Sequence, residues 1–261
     1  MSLQRILGQD QPRRIIQNAL ENKSVSHAYL FYGPESIGKK LTAIEFAKAL
    51  NCEGSGLTDN CGDCPSCKKI DQGIHPDFFF LEPKKSSPTA RNAYINVEEI
   101  RELQKKLAFL PYEAKTKVAI IDGAETMNPQ AANTLLKTLE EPPSSTILIL
   151  IASNPHQLLP TIVSRCQGIK FHLLSTEAVR QILMQSMPSG TKGFSEKELG
   201  LRTLRSMGRI SRALEEDIEA TDQYREEILF LLEQVSFKRM DVVFKWTKQW
   251  AKRCGFLEWF F

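Results

Sequence analysis

The sequence predicts an α/β domain built on a parallel sheet, followed by purely helical segments. Three observations carry that expectation. Short apolar runs alternate with helical periodicity from residue 1 to about residue 170. The run Ile147–Ala152 is apolar throughout, as a central strand covered on both faces should be. Beyond about residue 173 the strand signals stop, and helical patterns separated by Gly and Pro take over.

The elements follow in order. Residues 1–27 carry a helical pattern, with Ile15, Ile16 and Leu20 apolar and Arg13, Arg14 and Glu21 polar, until Asn22-Lys23-Ser24 breaks it. The apolar run Ala28-Tyr29-Leu30 is the first strand. Leu41, Ile44, Ala47 and Leu50 then recur at helical spacing, so Lys39 to Leu50 reads as one amphipathic helix. Residues 51–73 read as loop, Asp77 to Leu81 as a buried strand, and Lys84 to Asn92 as an exposed, proline-broken loop. Val97 to Leu107 is helical, with Ile100, Leu103 and Leu107 on one face, and Lys117 to Asp122 is a strand ending in a carboxylate. Asn128-Pro129 has the N-cap and first-position chemistry of a helix start, and that helix stops at Pro142-Pro143. Ser186 to Gly193 reads as a linker. From Arg212 the chain is helical and aromatic-rich, and Phe256, Trp259, Phe260 and Phe261 suit a packing core or subunit contact better than base stacking.

Composition bounds the function classes. The 261 residues are 42% hydrophobic and 25% charged, ordinary values for a globular protein. The 34 basic and 31 acidic residues are interspersed, so the net charge of +3 permits contact with nucleic acid without arguing for it. No apolar run approaches the length of a membrane span, and Met1-Ser2-Leu3-Gln4-Arg5 lacks the apolar core of a secretory signal. With clustered cysteines in place of a scattered disulfide framework, this reads as a cytoplasmic protein.

The stretch Gly33-Pro34-Glu35-Ser36-Ile37-Gly38-Lys39-Lys40 has the strand, glycine turn and helix order of a phosphate-binding loop, G-x-x-x-x-G-K-[ST]. Gly33 and Gly38 permit the turn, and Lys39 stands where the loop lysine reaches the outer phosphates. The next position requires a hydroxyl to hold magnesium, yet it is Lys40, which has no acceptor to offer a metal. The second half of such a site is an apolar strand ending in Asp-Glu, the Asp helping to hold the metal and the Glu aligning water. Here Val118-Ala119-Ile120-Ile121 ends in Asp122-Gly123, with Glu125 two residues further on and free to point elsewhere. Both departures argue against hydrolysis.

Cys52, Cys61, Cys64 and Cys67 have the spacing C-x8-C-x2-C-x2-C. Four thiolates on one short loop can surround a zinc ion with no open position, which makes a structural site; free surface thiols are the plainer alternative. Arg165, in Ser164-Arg165-Cys166, suits either a structural ion pair or an arginine offered in trans to a neighbour's phosphates. Lys84, Lys85, Arg91, Lys105 and Lys106 read as solvated surface. The four histidines form no ligand or triad pattern, and the two beside strands suit core or cap positions.

Together these segments resemble the bacterial clamp-loader ATPases of the AAA+ class. The resemblance is carried by Ile6-Leu7-Gly8-Gln9, Ser26-His27-Ala28-Tyr29-Leu30-Phe31, the four-cysteine insertion and His75-Pro76-Asp77. It continues with Leu135-Leu136-Lys137-Thr138-Leu139-Glu140-Glu141-Pro142-Pro143 and Ser164-Arg165-Cys166. It implies a parallel five-stranded AAA+ domain over 1–170 with a four-cysteine zinc module at 52–67, a helical lid over 171–212, and a collar segment over 213–261 that is short for the family. It implies Ser153 as sensor, Arg165 as the trans-acting arginine and Arg212 as second sensor, beside a degenerate ATP or ADP site at Gly33, Gly38, Lys39, Lys40 and Asp122. The implied setting is a hetero-pentamer with gamma/tau and delta subunits that loads the sliding clamp onto primed DNA, with no membrane role. Lys40 and Gly123 point to a non-hydrolysing member. A working ATPase of the gamma/tau type and a zinc-ribbon nucleic-acid-binding protein are the competing readings.

Overall fold

The computed structural model describes residues 3–54, 59–85, 93–186 and 194–214, all within one compact unit, Met1–Leu214. Its strands are β1 (Ala28–Tyr32), β2 (Phe78–Leu81), β3 (Lys84–Lys85), β4 (Ala93–Tyr94), β5 (Lys117–Asp122), β6 (Thr146–Ala152) and β7 (Gln167–Lys170). Its helices are α1 (Asp10–Glu21), α2 (Lys39–Asn51), α3 (Pro65–Asp71), α4 (Val97–Leu107), α5 (Pro129–Glu140), α6 (Pro160–Val163), α7 (Thr176–Gln185), α8 (Glu196–Ser206) and α9 (Ile210–Leu214). Five strands form one parallel sheet in the order β2-β5-β6-β1-β7. The parallel five-stranded α/β expectation holds.

The strand sequences explain the layers. In β1, Tyr29 and Phe31 enter the core on one face with Phe46 and Phe171, while Ala28 and Leu30 enter the other with Ile100 and Leu135. Tyr29 meets Phe46 edge-on, with ring centroids 5.2 Å apart. Every residue of β6 is buried, so this strand sits mid-sheet with helices on both sides. Helix starts follow local chemistry. Asn128 Oδ1 accepts from the Ala131 amide at 2.7 Å, as its N-cap position requires, and Asn96 with Glu99 forms a capping box at α4.

Several elements differ from the sequence expectation. Residues 51–73 are not all loop, because α3 forms within them, with Cys64 as its N-cap and Cys67 in its first turn. The stretch beginning at Lys84 opens with a short antiparallel pair, Lys84–Lys85 against Ala93–Tyr94, while 86–92, including Arg91, lie outside the described residues. Edge strand β7 gave no apolar run because only Ile169 of its four residues is buried. His75 is the buried histidine, its Nδ1 accepting from the Asp77 amide at 3.1 Å; His27, His156 and His172 are exposed and so are not core residues. Most of the Ser186–Gly193 linker, Cys254 and the C-terminal aromatic residues lie outside the described residues. Among the described residues, no helix is long and apolar enough to cross a membrane.

Two buried charges fix the turn between α4 and β5. Asp77 accepts from the amides of Tyr112, Glu113 and Ala114 at 2.8 to 3.0 Å. Lys117, 2% exposed, donates to the carbonyls of Lys106 and Leu107, and to Phe109, closing the C-terminus of α4 with a cation. Burial would raise the Asp77 carboxyl, but the three amides outweigh it and hold it below its ordinary value. A depressed folded value adds stability that is present above the unfolded pKa and lost as pH falls through the folded one. Asp77→Asn is therefore expected to cost about 1–3 kcal/mol at pH 7. Urea melts should show that cost shrinking below about pH 4, where the unfolded chain's carboxyl takes up its proton first, and vanishing as pH falls through the lower native value.

Candidate phosphate loop and metal centre

The loop 33–38 is shaped by three residues with positive φ. Gly33 has φ +142°, and a Cβ there would lie 2.3 Å from the Phe171 carbonyl oxygen. Ser36 has φ +58°, and its carbonyl accepts from the Ile210 amide at 2.8 Å, fastening the start of α9 to the loop. Gly38, φ +98°, occupies the N-cap position of α2, where an added Cβ would meet nothing within 4 Å. The first amides of α2 have no acceptor within the helix and face the anion position.

Lys39 follows at once, 7% exposed, with its Nζ donating to the carbonyls of Gly33 at 2.6 Å and Pro34 at 2.5 Å. Burial lowers its ammonium below the usual lysine range, opposed first by Glu125 and then by Asp122 and Glu35, while Arg209 adds to the lowering. Asp122, at the end of β5, is pushed up by burial against the pull of Lys40 and then Lys39. Lys40 does not reach back along the loop. Its Nζ lies 3.3 Å from Glu82 Oε2 and 4.2 Å above the Phe80 ring.

Gly123 departs from the motif in its backbone as well as its side chain. Its φ is +69°, and an added Cβ would approach Pro83 at 3.3 Å. The turn it opens, Ala124–Thr126, brings Glu125 back into the site, so this carboxylate does not point elsewhere. Glu125 Oε1 accepts from the Ser153 amide at 2.7 Å. Ser153 Oγ lies 3.5 Å from Glu35 Oε1, joining the end of β6 to the loop. A cavity of about 300 Å³ is lined by Glu35, Gly38, Lys39, Lys40, Asp122 and Ser153. A second, of about 600 Å³, adjoins it at Ser36 and Gly38 and is walled by Leu7, Ile37, Leu41, Leu174 and Ile182. Sequence spacing carried no sign of this second space, which forms only when α7 and α9 fold over the loop. Glu125 was legible as a carboxylate near the strand end, but its direction depends on the left-handed turn. From the segment after β7, Arg209 is the cation that lowers the Lys39 ammonium further; Arg212 Nη1 lies 3.5 Å from Met207 Sδ.

Cys52, Cys61, Cys64 and Cys67 converge, their four Sγ atoms lying within 4.8 Å of one another. Tetrahedral zinc with bonds near 2.3 Å requires sulfur separations of about 3.8 Å, so the donor set fits a metal ion with four thiolate ligands. Amides of Cys61, Asp63, Cys64 and Cys67 reach sulfurs of the set at 3.3 to 3.5 Å, as thiolate ligands favour. Beneath the module, Lys48 Nζ meets Glu45 Oε1 at 2.7 Å and Asp71 Oδ1 at 2.8 Å, and Asn60 Nδ2 donates to Glu45 Oε2 at 2.9 Å. These contacts tie α2 to α3.

Arg165 lies apart from the loop. Its Nη2 lies 2.8 Å from Glu140 Oε1, and its Nη1 donates to the Thr161 carbonyl at 3.0 Å. The side chain stays 36% exposed, so an ion pair within the chain and a guanidinium available at the surface are both present.

Residues 8–175 match the family described as "DNA polymerase III, delta subunit". The chain is similar to the DNA polymerase III subunit tau of Bacillus subtilis, 39% identical over 67% of this chain and 30% of that protein. It is also similar to the DNA polymerase III subunit delta' of Pseudomonas aeruginosa, 38% identical over 67% of this chain and 52% of that protein. The chain thus spans about half the length of the delta' relatives it matches and under a third of the tau relative. The Thermotoga maritima RuvB Holliday junction branch migration motor superposes with a TM-score of 0.52 at 14% identity, covering 86% of this chain and 64% of RuvB. That likeness shows the AAA+ fold alone.

The loop geometry separates its two glycines. Gly33→Ala drives a Cβ into a backbone carbonyl and is expected to cost at least about 3 kcal/mol in urea melts. Gly38→Ala meets no atom and should cost only the left-handed strain, about 1–2 kcal/mol.

Proposed function

The chain belongs to the DNA polymerase III delta-subunit family of clamp-loader proteins, and from that premise we propose that it is a delta'-type subunit. In this reading it is a non-hydrolysing member that helps load the sliding clamp onto primed DNA in the cytoplasm. The observation that carries the choice is the state of the two catalytic positions. An ammonium stands where a metal-holding hydroxyl belongs, and a left-handed glycine packed on Pro83 stands where the water-aligning carboxylate belongs.

The remaining roles follow from that reading. Arg165, braced by Glu140 and the Thr161 carbonyl, serves the ATP site of a neighbouring subunit in trans. Residues 1–170 are the AAA+ domain, 171–212 the lid and 213–261 a collar segment, within a hetero-pentamer containing gamma/tau and delta subunits. Ser153 is the sensor at the strand end and Arg212 the second sensor. The four cysteines hold structural zinc, which fixes the loop 52–67 and performs no chemistry.

A second reading has one observation in its favour. Glu125 enters the site from the turn after β5, where it could align water in an ATPase of the gamma/tau type. Its Oε1 is already engaged by the Ser153 amide, which favours a structural part.

Purified chain is expected to show no magnesium-dependent ATP turnover. Lys40→Thr with Gly123→Glu should not create it, because the second change strains the backbone. Turnover lost on Lys39→Ala would make this a motor subunit. In a reconstituted loader, Arg165→Ala should lower turnover at the neighbouring site on the order of 10³-fold. Metal analysis should find about one zinc per chain, and Cys64→Ser should remove it and lower thermal stability without changing Arg165-dependent turnover in the surviving complex.

A further inference from the structure

We propose that Glu140 is a positioning residue for Arg165, holding the guanidinium in the attitude from which it reaches a neighbouring subunit's phosphates. This role rests on the trans-arginine reading of Arg165 and adds the group that orders the arginine before the neighbour arrives. It also gives a part in the site to segment 135–143, which carried the sequence resemblance without one.

Glu140 stands against the local chemistry of its helix. It is the last residue of α5, Glu141 follows as the C-cap, and Lys137 is the basic residue of that turn. The C-terminus of a helix is the negative end of its dipole, so a carboxylate there weakens the helix. Pairing with Arg165 recovers little stability, because the two side chains are 50% and 36% exposed and an ion pair open to water contributes little. A carboxylate that its own helix disfavours and that the fold does not need for stability points to function.

The contacts of Arg165 supply that function. Glu140 Oε1 lies 2.8 Å from Nη2, and the Thr161 carbonyl accepts from Nη1 at 3.0 Å. Acceptors on two different helices, α5 and α6, fix the plane of the guanidinium as one acceptor could not. Both helices are anchored in the same apolar core: buried Leu139 precedes Glu140, and buried Ile162 follows Thr161. Core packing is thereby carried out to the guanidinium, although the whole of β6 separates α5 from α6 in the chain. The contacts use two of the five N–H donors of the guanidinium, so phosphate oxygens can be met without breaking either. A long side chain ordered in advance has little freedom left to lose on engagement, and small displacements of such a group lower rates steeply.

The test compares Glu140→Ala with the unmodified protein, first as full chain and then in the reconstituted loader. In the chain, NMR relaxation of the Arg165 Nε–Hε group should report an ordered side chain that becomes mobile in the variant. Thermal stability should stay unchanged or rise, because a carboxylate leaves a helix C-terminus. In the loader, turnover per assembled complex at the neighbouring site should fall about 10-fold in kcat with KM little changed. Glu140→Gln, which keeps an acceptor oxygen, should recover most of that loss, and Glu140→Ala should add nothing to Arg165→Ala. An Arg165 side chain equally mobile in both chains overturns the inference, and that reading needs no assembly. Unchanged or raised turnover in Glu140→Ala overturns it too, as does Glu140→Gln no faster than Glu140→Ala, or an equal further loss on top of Arg165→Ala. The underlying reading fails separately: Arg165→Ala that leaves the neighbour's turnover intact sinks the trans-arginine role itself.

Discussion

Burial of the parallel sheet on both faces is the constraint on which the rest of the structure depends. β6 has no exposed residue, and its neighbours β1 and β5 are buried apart from their final positions. A strand in this situation cannot slip by one residue without exchanging two sets of core contacts, because Ile149 and Ile151 serve one face while Leu148 and Leu150 serve the other. Register therefore fixes where the strands end. Gly33, Gly123 and Ser153 each follow one of the three central strands, and that is why three distant segments meet around one cavity.

Helix α2 carries this geometry away from the sheet. It begins at Lys39, the loop lysine, and ends immediately before Cys52, the first cysteine of the metal set. Between them Glu45 and Lys48 are each only 1% exposed. A buried ion pair is costly to desolvate and does little for net stability compared with apolar packing. Its specificity is the greater contribution: Lys48 also meets Asp71 on α3, and Glu45 also accepts from Asn60, so the partners define how the cysteine module seats on the helix. A metal ion held by the four cysteines would then have to fix only the local loop, since the module's attachment is set by buried polar contacts.

What the sequence made legible follows the same logic. Strands β1, β5 and β6 were readable because burial on both faces forces unbroken apolar runs, α4 from its one apolar stripe, and α5 from such a stripe framed by Asn128-Pro129 and Pro142-Pro143. Edge strand β7 was not, since a strand packed mainly through Ile169 gives no periodic signal. The convergence of the four cysteines was readable from spacing, but α3 within their loop was not, being seven residues long. Single site residues were legible by type and illegible by direction. Lys40 and Gly123 stand out as departures from a motif, while the return of Glu125, the reach of Arg209 and the pairing of Arg165 with Glu140 depend on turns and on contacts between distant segments.

The two departures from the hydrolytic motif are not physically alike. Lys40 is half-exposed at the start of a helix, where a hydroxyl residue would fit the same backbone. Gly123 is built into the turn, with a left-handed φ and with Pro83 against the place a side chain would take. One oxygen of the Glu125 carboxylate that this turn delivers accepts from the Ser153 amide and joins the end of β6 to the turn after β5, while Oε2 is buried without a hydrogen-bond partner among the described residues. A carboxylate that secures two strand ends is poorly placed to move with a reacting water. Loss of the metal ligand is a change of side chain; loss of the water-aligning group is a change in the path of the chain. Restoring the first leaves the second in place, so in the non-hydrolysing reading the barrier to hydrolysis lies chiefly in the backbone between β5 and α5.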